Sequence, residues 1–523
     1  MHATTTTCAL VGLEPVAVTV EAFVAGGLPG LHVVGLGDAA VMEAKERVRA
    51  ALKHLGNALP PSRVTVNLAP ADLRKVGPAY DLPIALAILA AQRKLPAAHV
   101  ARAVVMGELA LDGTLRAVPG ALAAAWLARR GGHAVVVVPP GNAAEAALVD
   151  GVEVVAPSDL AGAIDWARTG RAPTAGTLAA GAWATPASSA ASRASPLASM
   201  PPPEPDLADV RGQALARRAL EVAAAGGHAL LLVGPPGCGK SMLARRLPGL
   251  LPPLDDDAAW TATLVRSALG EPVLGLERRP PFRAPHHGGS EAGLLGGGPG
   301  LRPGEATRAH GGVLFLDELP EWSRRVLEGL RGPLEEGVVE LVRAHGRRRF
   351  PARFALVAAM NPCPCGHAGD DAVPCRCHPA DRRRYQGRIS GPLLDRFDLR
   401  VRLARLPPEE LVHAPAGEPS AVVAARVARA RAVATARQGH ANALLDGALL
   451  RRHTELDAAG LRLLAASAAT GGVSARGADR LRRVARTLAD LVGCERVTSE
   501  HLAEALAYRA EPFGGAAAAG ETG

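Results

Sequence analysis

In the stretch Ala229-Leu230-Leu231-Leu232-Val233-Gly234-Pro235-Pro236-Gly237-Cys238-Gly239-Lys240-Ser241, five apolar residues run directly into the pattern G-x-x-x-x-G-K-S. The apolar run predicts a buried strand, and the pattern predicts a phosphate-binding loop between that strand and a helix. Gly234, Gly237 and Gly239 leave the backbone free to turn its N–H groups toward the phosphates of a nucleotide such as ATP. The next helix points its positive end at them, Lys240 reaches the β and γ phosphates, and the Ser241 hydroxyl is placed to ligate Mg²⁺. Pro235, Pro236 and Cys238 fill free positions of the loop, and Cys238 is given no role of its own. Lys240 is the only lysine after Lys94, in a chain with five lysines among 59 basic residues. A compact ammonium stands here because the planar guanidinium fork does not substitute for it.

Downstream, Val313-Leu314-Phe315-Leu316-Asp317-Glu318 reads as a second buried strand ending in two acids. Asp317 is expected to complete the Mg²⁺ shell with Ser241, and Glu318 to polarise the water that attacks the γ-phosphate. The plainer reading has both carboxylates capping the following helix. Residues 354–360 form a third apolar run that ends in Asn361, whose amide is placed to orient the same water. ATPases of this kind complete the pocket with arginines, one often lent by a neighbouring subunit. Arg396, in Leu393-Leu394-Asp395-Arg396-Phe397-Asp398, is the candidate for that part, with Arg388 the alternative. Arg476 lies in the first turn of a helix that Ser474 would cap, and is placed to reach the phosphates from the last part of the chain.

Around this core the composition divides the chain. At about 150 residues per domain, 523 residues predict three or four domains. Residues 1–168 alternate β-like runs (16–20, 64–67, 135–138) with Ala-rich helical stretches such as 82–93, an α/β or α+β domain. Residues 169–205, rich in Ala, Thr, Ser and Pro, read as a flexible linker. Residues 206–406 carry the short apolar runs of a parallel sheet, with ligands expected beyond the carboxyl ends of the strands. Residues 407–510 show helical spacing, as in 422–438 and 478–491, and 511–523 form a Gly-Ala tail expected to be disordered. No run is long enough to span a membrane and no secretory leader is visible, so a cytoplasmic protein is expected.

The net charge is +9, carried almost wholly by arginine, which suits a polyanionic partner. Only 3% of residues are aromatic, too few for a base-stacking platform. Nucleic acid would therefore be held through its phosphates, with little sequence preference and strong salt dependence.

Several further stretches resemble one family: Asp209-Val210-Arg211-Gly212-Gln213, Phe282-Arg283-Ala284-Pro285-His286-His287, Pro303-Gly304-Glu305, Gly312 with 313–320, Ala358-Ala359-Met360-Asn361-Pro362, and residues 391–398. Gly27-Leu28-Pro29-Gly30 and residues 66–73 are similar to it as well. By these stretches the chain resembles AAA+ ATPases of the magnesium-chelatase type, and within them the YifB/ComM group. The resemblance implies a P-loop parallel-sheet core with a C-terminal helical lid, assembled as a homo-hexamer around DNA. It also implies sensor 1, arginine-finger and sensor 2 roles for Asn361, Arg396 and Arg476. For ComM-like members it implies ATP-driven unwinding and branch migration of single-stranded and branched DNA during natural transformation, with recombinase or DNA-processing partners. Residues 1–168 resemble a Lon-protease-like domain. Where Lon-type proteases place their serine, this chain has Gly77-Pro78-Ala79-Tyr80-Asp81, and Ala79 offers no nucleophile. The rival readings are a chelatase-type motor that remodels a protein or metal-insertion partner, and a Lon-like protease or chaperone.

In such a ring two segments could touch DNA. Residues 288–304 are glycine-rich and read as a mobile pore loop. Residues 337–353 read as a β-hairpin carrying Arg343, Arg347, Arg348 and Arg349, so six copies would offer about two dozen guanidinium groups to a channel; the plainer reading is a solvated hairpin tip. Finally, Cys363, Cys365, Cys375 and Cys377 fall within residues 363–378. Thiols this dense favour structural tetrahedral Zn²⁺, with His367 or His378 as possible substitutes for one of them. Reactive thiols and unliganded cysteines are the alternatives.

Overall fold

A computed structural model of the protein describes residues 1–171, 177–178, 205–298, 301–343, 346–370, 372–413, 415–469 and 474–509. The apolar run of the phosphate loop becomes the fully buried strand Leu230–Val233. It pairs in parallel with Ala355–Met360 on one side and Leu399–Arg402 on the other. Val313–Leu316 lies beyond Ala355–Met360, and Phe282–Arg283 closes that edge of a five-stranded sheet. The three runs read as central strands are neighbours in this sheet. The other two strands have only two and four residues, the longer one alternating Leu and Val with Arg, so no apolar run announces them.

Side chains alternate across the strands. Leu230, Leu232, Phe315 and Val357 pack under the helices Ala214–Gly226, Ser420–Gln438 and Ala475–Leu491. Leu231, Val233, Leu314 and Leu356 face the opposite way into a second cluster. With both faces covered, the strand ends are the open part of the sheet, and Gly234, Asp317 and Asn361 follow three adjacent carboxyl ends. The chain end returns to the edge strand, where Arg400 N–H donates to the Tyr508 carbonyl at 2.6 Å.

The N-terminal part is a mixed eight-stranded sheet whose long strands His2–Val11, Glu14–Ala25 and Arg63–Ala69 run antiparallel in succession. The helix Asp81–Ala91, apolar on every side in sequence, is buried along its whole length. Thr177–Leu178, inside the segment read as a linker, add an edge strand against Glu153–Val155. Most of that segment and the tail 511–523 lie outside the described residues. The N-terminal part rests on the core: Gly120 N–H donates to the Ser267 carbonyl at 2.8 Å. Trp126 and Trp260 meet edge to face at 6.3 Å. Among the described residues no helix is long and apolar enough to cross a membrane.

The described part of 288–304 is not the open loop that its glycines suggest. Ser290 caps the helix Glu291–Leu295, and Gly296–Gly297 pair with Arg302–Pro303. Leu294 and Leu295 are buried. A Cβ on Gly304 would lie 2.3 Å from the Gly296 nitrogen, so this glycine permits close backbone approach rather than freedom.

Candidate functional site

The loop after Leu230–Val233 turns through Gly237 and Gly239, both at positive φ, into the short helix Lys240–Ala244. Lys240 Nζ donates to the carbonyls of Gly234 (2.8 Å) and Pro235 (2.9 Å) and to Asn361 Oδ1 (3.2 Å). Burial pulls its pKa below the ordinary lysine value, against the opposing pull of Cys238 and Asp317. Ser241 Oγ donates to Asp317 Oδ2 at 2.7 Å. A hydroxyl and a carboxylate are the hard oxygen donors that Mg²⁺ takes, so this pair fits that ion. Four of the residues read from separate strand ends therefore meet in one place: Lys240, Ser241, Asp317 and Asn361. Cys238 is buried in the loop, its thiol pKa raised by burial.

Glu318 stands next to them at φ 49°, a left-handed conformation uncommon for a residue with a side chain. Asp317 is held in turn, its Oδ1 accepting from Glu318 N–H at 3.0 Å and its carbonyl from Trp322 Nε1 at 3.0 Å. The Glu318 carboxylate, half exposed, meets His287 Nδ1 at 2.9 Å. In sequence His287 stands only within a family-like stretch, with no role of its own. Its partner lies 31 positions away on another strand end, a distance no local pattern encodes. Arg388 is paired with Glu321 at 2.7 Å, beside the same strand end.

Arg396 lies elsewhere. It donates to the Pro392 carbonyl at 2.8 Å and pairs with Glu335. Its pKa is lowered first by burial and then by the charges of Arg331, Arg480 and Arg476. Arg396 thus lies within electrostatic reach of Arg331, Arg480 and Arg476, with Glu335 as its ion-pair partner.

In the cysteine loop the four Sγ atoms lie within 4.8 Å of one another. The Cys363–Cys365 and Cys363–Cys375 separations are 3.4 and 3.6 Å. Tetrahedral zinc with bonds of about 2.3 Å places its sulfurs roughly 3.8 Å apart, so the set fits that ion. The Cys365 thiol is lowered to about 6, burial being outweighed by the backbone N–H groups of His367 and Arg376. His367 Nδ1 pairs with Asp370 at 3.0 Å, and His378 caps the helix Pro379–Gln386. Neither histidine joins the thiol group. Gly366 presses on the phosphate loop: a Cβ there would lie 2.5 Å from Pro236 Cδ.

The hairpin forms as read, with Glu340 opposite Arg349 and Val342 opposite Arg347. Period-two alternation divides its arginines. Arg347 and Arg349 are exposed, Arg347 paired with Glu340. Arg348 shares the face of fully buried Phe350, and both approach Gly12 of the N-terminal part. The side chain of Arg343 lies outside the described residues. In the N-terminal part Ala79 is buried in a 3₁₀ turn, followed by Asp81, which Arg47 holds at 2.6 and 3.0 Å.

Comparison with known proteins gives three family matches that follow one another along the chain. Residues 206–411 match magnesium chelatase, subunit ChlI; residues 20–142 match the ChlI subunit of Mg-chelatase; and residues 417–509 match the ChlI C-terminal part. The chain is 46% identical over 510 residues to an uncharacterised protein of Mycobacterium tuberculosis, covering 95% of this chain and 96% of the relative. It is 42% identical over 511 residues to the uncharacterised protein YifB of Escherichia coli, covering 96% of each. To the competence protein ComM of Haemophilus influenzae it is 41% identical over 504 residues, again covering 96% of each.

Proposed function

The chain belongs to the magnesium chelatase subunit ChlI family of AAA+ ATPases, in the group of YifB and ComM, and from that premise we propose that it is an ATP-driven motor acting on DNA. The observation that carries the reading is the meeting of Ser241 with Asp317 at 2.7 Å beside Lys240 and Asn361. On binding ATP, Lys240 exchanges the carbonyls of Gly234 and Pro235 for phosphate oxygens. Ser241 and Asp317 would hold Mg²⁺, which when bound would supply neutralisation of the phosphate charge. Glu318 accepts the proton of the attacking water, His287 steadies its carboxylate, and Asn361 orients the water. Arg396, with Arg476 beside it, meets the nucleotide of the neighbouring subunit in a homo-hexameric ring. In that contact Arg396 exchanges its ion pair with Glu335 for the phosphate oxygens.

The polyanion in the ring is DNA, tracked through its phosphates by Arg347 and Arg349 at the hairpin. In keeping with the relative named a competence protein, the work done is branch migration that integrates incoming DNA in natural transformation, in the cytoplasm and alongside recombinase or DNA-processing partners. Zn²⁺ on the four cysteines serves structure only, because four thiolates leave no open position. The helices after residue 407 act as the lid. The N-terminal Lon-like domain acts as a platform without peptidase chemistry, since Ala79 offers no hydroxyl.

A second reading, a motor that remodels a protein or metal-insertion partner, draws on the chelatase description of the family. The deciding experiment measures ATP turnover and strand displacement on forked, three-way and linear DNA, with Lys240→Ala and Glu318→Gln as controls. Activity on branched DNA that both variants lose supports the DNA motor. Turnover indifferent to every DNA, yet raised by a protein, selects the second reading.

A further inference from the structure

A line of buried polar contacts crosses the protein outside the nucleotide pocket. His228, fully buried, stands between the helix Ala214–Gly226 and the strand Leu230–Val233. Its Nδ1 meets Asp398 Oδ2 at 2.9 Å and its Nε2 meets Thr487 Oγ1 at 2.8 Å. The other Asp398 oxygen faces Arg480 Nε at 3.4 Å. Beyond Thr487 the line continues through Asn442 (3.1 Å) to Asp490 (2.8 Å), which Arg437 grips with two bonds of 2.7 and 2.8 Å. The ring of His228 folds back so closely that a Cβ on Gly226 would lie 2.2 Å from it and 2.5 Å from Thr487 Oγ1. Only glycine admits that arrangement. Buried polar groups are costly unless each is paired, and here both ring nitrogens and both Asp398 oxygens face partners.

The line ends two residues from Arg396. Phe397, between them, is fully buried, so the segment is fixed by an apolar anchor and by the Asp398 carboxylate. Asp398 also sets a negative charge against Arg480, one of the cations that crowd Arg396. We propose that His228 and Asp398 are positioning residues for Arg396, tying its segment to the helix Ala475–Leu491 of the same subunit so that the guanidinium points at the next subunit's nucleotide. This rests on the reading of Arg396 as the arginine lent in trans. His228 precedes the strand Leu230–Val233 and the phosphate loop begins at Gly234 beyond it, six residues on and about 20 Å away at roughly 3.3 Å per residue. The pair should therefore leave ATP binding in its own subunit untouched.

The test combines steady-state ATP turnover with mixing of subunits. Asp398→Asn, which keeps the shape and loses the charge, is expected to lower kcat by ~10- to 100-fold, as misplacing a reacting group does, while KM for ATP stays within about twofold. Thr487→Val, which removes the hydroxyl that joins His228 to Asn442, should lower kcat in the same direction by less. Lys240→Ala subunits are inactive but carry an intact Arg396 segment. Mixed in equal amount with Asp398→Asn, they should raise turnover toward about a quarter of the wild-type value, because a random ring gives that share of interfaces a sound pocket and a sound arginine. A fault in the variant's own fold would not be repaired by a neighbour. Arg396→Ala, mixed in the same way, serves as the reference. If Arg396→Ala is rescued and Asp398→Asn is not, or if Thr487→Val turns over like wild type, the positioning role is overturned and the trans arginine stands. If Arg396→Ala loses nothing, or is not rescued, the trans reading falls and this inference with it.

Discussion

Glu318 is held in a left-handed conformation that costs a side-chain-bearing residue roughly 1–2 kcal/mol, and its backbone is fixed there by its N–H on Asp317 Oδ1 at 3.0 Å and by the Glu321 N–H on its carbonyl at 2.7 Å. If its work is to take the proton of the attacking water, Glu318→Gln should bind ATP as tightly as wild type and hydrolyse it ~100- to 10,000-fold more slowly. A fluorescent-nucleotide titration beside a phosphate-release assay checks this, and equal loss of binding contradicts the role. A second residue gives a dependence on pH. Burial pushes the Asp81 carboxyl from its ordinary 3.8 up to about 6, outweighing Arg47. Between those values the folded chain keeps a proton that the unfolded chain has lost, so stability falls as pH rises through the window and levels off above it. Denaturant unfolding from pH 4 to 6.5 should show that fall reduced in Asp81→Asn, and parallel wild-type and variant curves would refute the assignment. The residues of the phosphate loop were legible because their roles follow from spacing along the chain. The contacts of His287 and His228 were not, because each meets its partner on a distant strand or helix.

At the level of elements, sequence composition found the hairpin and the cysteine loop but not which way their side chains turn. The sequence reading treats Arg343, Arg347, Arg348 and Arg349 as equal, whereas the register places Arg348 on the side of Phe350, against Gly12. Replacing Arg347 or Arg349 with Ala should weaken DNA binding across sequences and make the slope of log K against log salt shallower by about one for each phosphate that is no longer neutralised. Arg348→Ala should leave that slope unchanged and lower the unfolding midpoint instead, because its stem no longer packs against Gly12. Equal slopes for all three variants would place the DNA elsewhere. For the cysteine loop, tight clustering was readable, but not that the four thiols would come together while His367 turns to Asp370 and His378 to a helix cap. Because Gly366 packs on Pro236, zinc removal should raise the KM for ATP as well as lower stability, and zinc should restore both. Metal analysis of the purified chain is expected to give one zinc per subunit, and Cys375→Ser should abolish it.

For the whole molecule, the compositional break at 169–205 suggested parts that fold apart, yet one apolar cluster runs from Val104, Leu122 and Val136 of the N-terminal part to Leu231 and Leu314 of the sheet. Sequence reading missed this joint because the contacting face of Ala121–Arg130 is mostly alanine, whose small side chains give the same signal against any partner. Its larger members are Trp126 and Trp260, set at 74° with Arg130 over the Trp126 ring at 5.1 Å, an edge-to-face pair with a cation on its face. Since the joint is continuous with both cores, the two parts should lose structure together. Tryptophan fluorescence and far-ultraviolet circular dichroism are expected to report one coincident urea transition in the wild-type chain. Trp260→Ala removes the ring from the core side of the joint and should cost about 2–4 kcal/mol there, less than a full core truncation because Trp260 is only partly buried. The two probes should then separate, the N-terminal part and the ATPase core melting at different urea concentrations. Two transitions already present in the wild type would mean that the joint is too weak to couple the parts, and the N-terminal part would then move as an independent body on the ring.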